Sequence, residues 1–325
     1  MPCRRMIGVL LAIAALLAFG PSAGAQQDYP SRPIRLIIHT PAGSLVDVLG
    51  RIVAQDLGER LGQSLVIDNR PGAASMIAVE QLVHAPADGY TLLINAPEAT
   101  MLPFLKKSYR YDPIKDFTPI ALIVTSWTVF AINPKVPAST LPELIAYSKS
   151  HPGGVRYGSG GVGGALHVVV EMLKLETGGN FVHVPYRGGA EAATDAISGQ
   201  IEMVSMGLAS TRVAEGGKLR VLAQTGPRRH PMLPDVPTTA ELGLPDVRME
   251  TWFGLVGPPN MPREIVARIN RELAVIAREK AFQDKLTKVG LAVDYRPGSE
   301  FEAYLAAESK KWQQLLPALA IPVAD

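Results

Sequence analysis

Cysteine is nearly missing: Cys3 is the only one in 325 residues. That excludes an intramolecular disulfide framework and any cysteine-based metal site. Neither sign of charge is in excess, with 32 basic against 30 acidic side chains. Setting aside Arg4 and Arg5 leaves the remainder neutral. A neutral chain without a basic stripe is a poor partner for nucleic acid. Past residue 19 no run is long and apolar enough to span a bilayer, which takes about 20 residues. The familiar catalytic patterns are also missing: there is no G-x-S-x-G, H-E-x-x-H, P-loop or S-x-x-K. His39, His84, His151, His167, His183 and His230 show no metal spacing. No catalytic residue, metal site or cofactor is therefore expected, although a catalytic set assembled from distant residues is spatial, not sequential.

What is present is an ordinary globular mixture, 47% hydrophobic and 19% charged, with generous glycine and proline. The length suggests two domains. The first 25 residues read as an export signal. A short positive start is followed by a 14-residue apolar run over 6–19, and Ala23-Gly24-Ala25 offers a cleavage site before Gln26. The run is short for a membrane anchor, and no cysteine follows it to carry a lipid.

The rest alternates. An apolar strand over 33–40 is followed by the turn Pro41-Ala42-Gly43-Ser44 and a helix with Val48, Ile52, Val53 and Leu57 on one face, stopped at Gly62. A strand at 65–67, a helix over 73–84 and a strand at 90–94 complete a β-α-β-α-β unit, which implies a parallel sheet covered by helices. Extended runs at 120–124 and 128–132 follow. A second set then begins: a helix opening at Ser139, a strand at 155–157, a glycine-rich loop over 158–164 and a helix over 165–176. Strands at 181–184, 201–204 and 219–223 alternate with helices over 189–198 and 210–215. After an irregular proline-rich stretch, an extended run at 251–256, an amphipathic helix over 262–279, a strand at 292–295 and a last helix over 299–316 close the chain.

Several stretches together carry a family resemblance. They are Tyr29-Pro30-Ser31-Arg32-Pro33-Ile34-Arg35, Pro41-Ala42-Gly43-Ser44-Leu45-Val46-Asp47, Val66-Ile67-Asp68-Asn69-Arg70-Pro71-Gly72, Ala87-Asp88-Gly89-Tyr90-Thr91-Leu92-Leu93, His183-Val184-Pro185-Tyr186-Arg187-Gly188, Leu233-Pro234-Asp235-Val236-Pro237-Thr238 and Trp252-Phe253-Gly254-Leu255. In this order they resemble the Bug-type extracytoplasmic receptors of tripartite tricarboxylate transporters. The resemblance implies an α/β, two-lobed, type II periplasmic-binding-protein fold with ligand between the lobes. It sets two crossing hinge segments near 128–133 and 250–256. Lobe 1 is then 26–129 plus 254–325, and lobe 2 is 130–253.

Two loops are the candidate ligand grips. In the first, Thr40, Ala42, Gly43, Ser44 and Asp47 surround a helix start, where free N–H groups and the dipole favour an anion. Asp47 is equally a first-turn helix acid. Ser44 replaces the second glycine usual in the family. In the second loop, Ser159, Gly163 and Gly164 precede the helix that bears His167, whose alternative role is to brace the loop. Gly158, Gly160 and Gly163 match the dinucleotide pattern, but the acid expected about 20 residues on is missing. Gly164 and Ala165 stand where relatives carry hydroxyls, and Ser205 stands where many carry Asp, which disfavours an amino-acid ligand. Tyr186 offers an apolar wall with a polar tip. Arg187 is either a carboxylate partner or an exposed turn residue, and Glu98 repels a carboxylate, selects a ligand with a positive group, or faces solvent as a first-turn helix acid.

The resulting expectation is a periplasmic receptor, monomeric, that captures a small carboxylate and presents it to membrane permease subunits. The alternatives are a ligand sensor serving a signalling partner and, more remotely, an exported hydrolase.

Overall fold

The computed structural model describes residues 29–72, 75–186, 188–319 and 321. The expected export signal and Arg187 lie outside them.

The first unit runs β1 (Ile34–Ile38), α1 (Leu45–Leu61), β2 (Leu65–Asn69), α2 (Met76–Val83), β3 (Thr91–Asn95) and α3 (Glu98–Leu105). β1 lies between β2 and β3, both parallel to it. The alternation of strand and helix forces this, because each crossover returns the chain in the same direction. α1 forms because Val46, Leu49, Val53, Leu57 and Leu61 fall on one buried stripe, Ser44 caps its start and Gly62 ends it in the left-handed conformation.

β4 (Thr118–Ile132) then carries the chain out. The sequence reads as two extended runs here, but they are one strand of 15 residues. As far as Trp127 it pairs antiparallel with β9 (Glu250–Gly257), and through Thr125 with β10 (Ala292–Pro297). From Thr128 onward it pairs instead with β7 (Met203–Gly207) and β8 (Arg220–Gln224). The second unit fills the interval: α4 (Leu141–Ser150), β5 (Val155–Ser159), α5 (Ala165–Thr177), β6 (Phe181–Pro185) and α6 (Gly189–Ser198), with β5 parallel to both β6 and β7. A 3-10 helix, Leu208–Gly217, stands where the sequence suggests a short α-helix. α7 (Arg263–Ile276), α8 (Lys280–Thr287) and α9 (Gly298–Leu315) close the chain.

The chain therefore crosses between units at Trp127–Thr128 and at Met249–Glu250. Thr225 ties the crossings together. Its hydroxyl accepts the Thr128 N–H at 3.2 Å and lies 2.7 Å from the Met249 carbonyl, while its own N–H donates to the Thr128 carbonyl.

Each unit has its own apolar core. Leu36, Leu57, Leu92 and Leu255 belong to the first, and Phe130, Tyr157, Val169 and Leu173 to the second. Two elements cross this division. Met101 and Leu105 of α3 and Trp312 near the end of α9 share a cluster with Phe130 and Tyr157, although Phe301 and Leu305 of α9 pack with the first unit. No helix among the described residues is long and apolar enough to cross a membrane.

Candidate functional site

Both loops singled out in the sequence sit at the carboxyl ends of parallel strands, each leading into a helix. Ligands of open α/β sheets bind at such ends.

In the first loop Gly43 takes a φ of +82°, the left-handed region that glycine enters without strain. Its N–H donates to Asp47 Oδ2 at 2.9 Å. Asp47 is buried, and both its oxygens are engaged: Arg51 donates to each, and Asn69 Nδ2 donates to Oδ1 at 3.0 Å while also reaching the Thr40 carbonyl. The Arg51 guanidinium, with the Gly43 and Asn69 donors, holds the Asp47 carboxyl down at about 2 against the cost of burial. Asp47 thus acts on the loop from behind. Ser44 caps α1 by accepting the Asp47 N–H at 3.2 Å, and its hydroxyl lies 2.6 Å from that of Thr40. The donors left over at this helix start are the N–H groups of Leu45 and Val46, which have no intrahelical acceptor. Ala42 is exposed on the rim.

The second loop is braced by histidines. The Gly163 N–H donates to His167 Nδ1 at 3.0 Å, which places the ring proton on Nε2. The His167 ring stacks on His183 with centroids 3.9 Å apart, and His183 Nε2 lies 2.7 Å from Ser159 Oγ. Ser159 Oγ in turn accepts the Gly161 N–H. Beneath them Tyr157 donates to Glu171, which also pairs with Lys174 at 2.8 Å. Burial, and the neighbouring His183, push His167 down to about 4, so the ring is neutral near pH 7. His183 is lowered by burial as well. The His167 and Ser159 side chains thus both hydrogen-bond within the loop and its supporting strand. Gly164 is the N-cap of α5 and brings no side-chain acceptor, so the N–H groups of Ala165 and Leu166 stay uncapped.

The remaining candidates separate. Ser205 is fully buried in β7. Tyr157 and Gly158 of β5 pair with Met203 and Val204, so one rung further sets Ser159 beside Ser205. Its hydroxyl has no partner among the described residues. Tyr186 is half-buried, but its hydroxyl donates to Asp195 of α6 at 2.8 Å, and burial together with that carboxylate pushes it up to about 12. Glu98 opens α3 and is half-buried. Sequence reasoning missed the supporting residues Asn69, Arg51, Tyr157, Glu171 and His183. Asn69 and His183 do lie in stretches that carry the family resemblance; nothing local marks the others. Among the described residues no group of three His, Cys, Asp or Glu side chains is placed to hold a metal.

Two α/β lobes, crossing strands between them and a glycine-bearing helix start on each define the class: two-lobed solute-binding proteins with the type II periplasmic-binding-protein fold. Comparison with known proteins narrows it. The family described as tripartite tricarboxylate transporter family receptor matches residues 49–321. Protein BugT of Bordetella pertussis is 30% identical over 313 residues, 94% of each chain. R. palustris Rpa4515, solved with adipate, is 31% identical with a TM-score of 0.83, over 91% of this chain and 99% of that one. MatC (Rpa3494) from Rhodopseudomonas palustris, solved with bound malate, is 26% identical with a TM-score of 0.77, over 89% and 100%. The chain belongs to the tripartite tricarboxylate transporter receptor family, and its family and fold are of the binding-protein type.

Proposed function

We propose that this protein is a periplasmic receptor that captures a small organic acid between its lobes and hands it to the membrane permease subunits of a tripartite transporter. One observation carries the reading. Each lobe presents an uncapped or half-capped helix start at the carboxyl ends of its strands, and neither loop contains Lys or Arg. The N–H groups of Leu45, Val46, Ala165 and Leu166 are the donors that grip a carboxylate, each helix terminus contributing about 0.3–2 kcal/mol through its dipole. Gly43, Asp47, Ser159, Gly163 and His167 shape the two loops. Thr40, Ala42, Ser44, Gly164, Tyr186 and Ser205 line the space around the ligand. Relatives solved with adipate and with malate support a carboxylate ligand. The lobes, 26–129 plus 254–325 and 130–253, close over the ligand as a monomer, and the export signal is removed before Gln26.

A thermal-shift screen over mono-, di- and tricarboxylates, aromatic acids and amino acids tests this. A ligand at 100 times its Kd adds about 2.7 kcal/mol of apparent stability. A screen in which only amino acids or no acids raise the melting temperature refutes the reading. N-terminal sequencing of the exported protein checks the cleavage site.

A further inference from the structure

The two edges of β4 carry different neighbours. In the first unit the strands run β2-β1-β3-β9-β4-β10, and in the second β6-β5-β7-β4-β8. The ligand loops follow β1 and β5, on the β9 and β7 side of β4. β10 and β8 lie on its other side. β10 begins where Ala292 pairs with Thr125, and β8 ends where Gln224 pairs with Val129. The two strands thus stop short of each other, one on each unit, with Ser126, Trp127 and Thr128 of β4 between them.

A gap of about 460 Å³ occupies that interval. Ala292, Asp294 and Arg296 of β10 form one wall, and Pro227, Arg228 and Arg248 of the second unit form the other. Asp294 and Arg296 pair with each other at 2.6 Å, along their own wall. Among the described residues no hydrogen bond or ion pair runs from one of these walls to the other. A second hollow of about 750 Å³, between α9 and the end of α5, shares Arg248, Glu250 and Tyr304 with the gap, so this side of the crossing is largely unfilled. The crossing itself is tightly packed. Trp127 is buried and edge-on to His230, and a Cβ on Gly226 would overlap its indole ring. Close-packed side chains yield little, whereas the walls of a hollow are free to approach or part. A rotation about Trp127 that brings the ends of β1 and β5 together carries β10 away from Pro227 and Arg228.

We propose that this gap is the counterpart of the ligand cleft, widening as the lobes close and narrowing as they open, so that its residues set ligand affinity without touching the ligand. The inference rests on the carboxylate-receptor reading above and adds what controls its closure. The apparent Kd is the intrinsic Kd divided by the closed fraction, so any change that populates the closed form tightens binding. Bulk placed in the gap favours the closed form. A tether that draws its walls together favours the open one.

The test has two arms on the mature chain, with adipate, malate, citrate and benzoate as probes. In the first, Arg228→Cys with Ala292→Cys puts one thiol on each wall; Cys3 lies before the expected cleavage site, so the pair is unique. Joined by a short bismaleimide, the protein should no longer compact in small-angle scattering when the tightest-binding probe is added, and its affinity by calorimetry should fall about tenfold or more. A long spacer should leave both as in the unlinked pair. In the second arm Ala292→Trp fills the gap. Its ligand-free scattering should move toward the compact form and its affinity should rise about threefold or more, with thermal melting to confirm folding. A short-tethered protein that binds and compacts like the long-tethered one, or a folded Ala292→Trp with the parent's ligand-free shape, overturns the role of the gap and leaves the receptor reading standing. Failure of every probe to bind the parent chain counts against the receptor reading, and the ligand-free scattering of Ala292→Trp still decides the gap.

Discussion

Asp47 ties Gly43, Arg51 and Asn69 together. Removing it strips an acceptor from Gly43, Asn69 and Arg51 at once, and unpaired partners of a buried carboxylate are costly. Asp47→Ala should lower stability by roughly 2–4 kcal/mol in denaturant titrations and abolish ligand binding. The carboxyl is held at about 2, below its unfolded value near 3.9. Its stabilisation, about 2 kcal/mol, is therefore complete above about pH 4 and is lost as the pH falls toward 2. His167 works in the opposite chemical sense. It is neutral in the fold and charges only near 4, whereas an unfolded histidine charges near 6.5. Between those values the unfolded chain holds more protons, so stability falls as the pH drops from about 6.5 to 4. His183 and His230 are lowered too and act in the same direction. In His167→Gln the slope at pH 5 should flatten by about 1 kcal/mol per pH unit, one proton's share. An unchanged slope would mean that His167 is charged in the native protein.

At the scale of elements, the two helix starts are built differently. α1 is capped by the Ser44 side chain, and α5 by a bare Gly164. Gly43 takes a positive φ and has open space where a Cβ would stand, so Gly43→Val strains the loop backbone and fills space beside the helix start. Gly163 combines a φ of +78° with a Cβ position 3.2 Å from Leu105 of α3. Gly163→Ala should cost about 1–2 kcal/mol in melting experiments and weaken ligand binding by loosening the His167 contact. α3 carries Glu98 in its first turn. In the fold Pro97 is the N-cap and Pro103 lies inside the helix. At α4 the expected start was Ser139. The cap is Thr140, whose hydroxyl accepts the Glu143 N–H, while the Glu143 side chain reaches back to the Ser139 N–H.

At the scale of the whole molecule, closure depends on the crossings at Trp127–Thr128 and Met249–Glu250. A ligand drives closure only if it contacts both lobes and so binds the closed state more tightly. Small-angle scattering should show compaction on adding a saturating ligand. Thr225→Val removes the hydroxyl between the crossings and should cost about 1–3 kcal/mol and shift the scattering of the ligand-free protein. Trp127 sits at the crossing, edge-on to His230 with centroids 4.5 Å apart. Trp127→Phe should erase the ligand-induced change in fluorescence, and Trp312→Phe, near the end of α9, should preserve it. Retention of the change in Trp127→Phe would place the moving region elsewhere.

Short-range pattern determined most of the elements. The apolar run at Ile34–Ile38, the stripe Leu49, Val53 and Leu57, and the glycine stops are local, and local periodicity is what one chain of letters displays. The order of the family-like stretches likewise determined the fold class and the two loops. Which contacts the loop residues make was decided only by residues far away in sequence. Asn69 reaches Asp47 across 22 positions and His183 reaches Ser159 across 24. Thr225 joins Thr128 across 97. Hydrogen bonds of a buried carboxylate or imidazole depend on distance in space, and neighbours in sequence carry no record of it. The same holds for His39, Asn95 and Tyr109, three letters far apart in sequence that the fold brings to the lining of one small space.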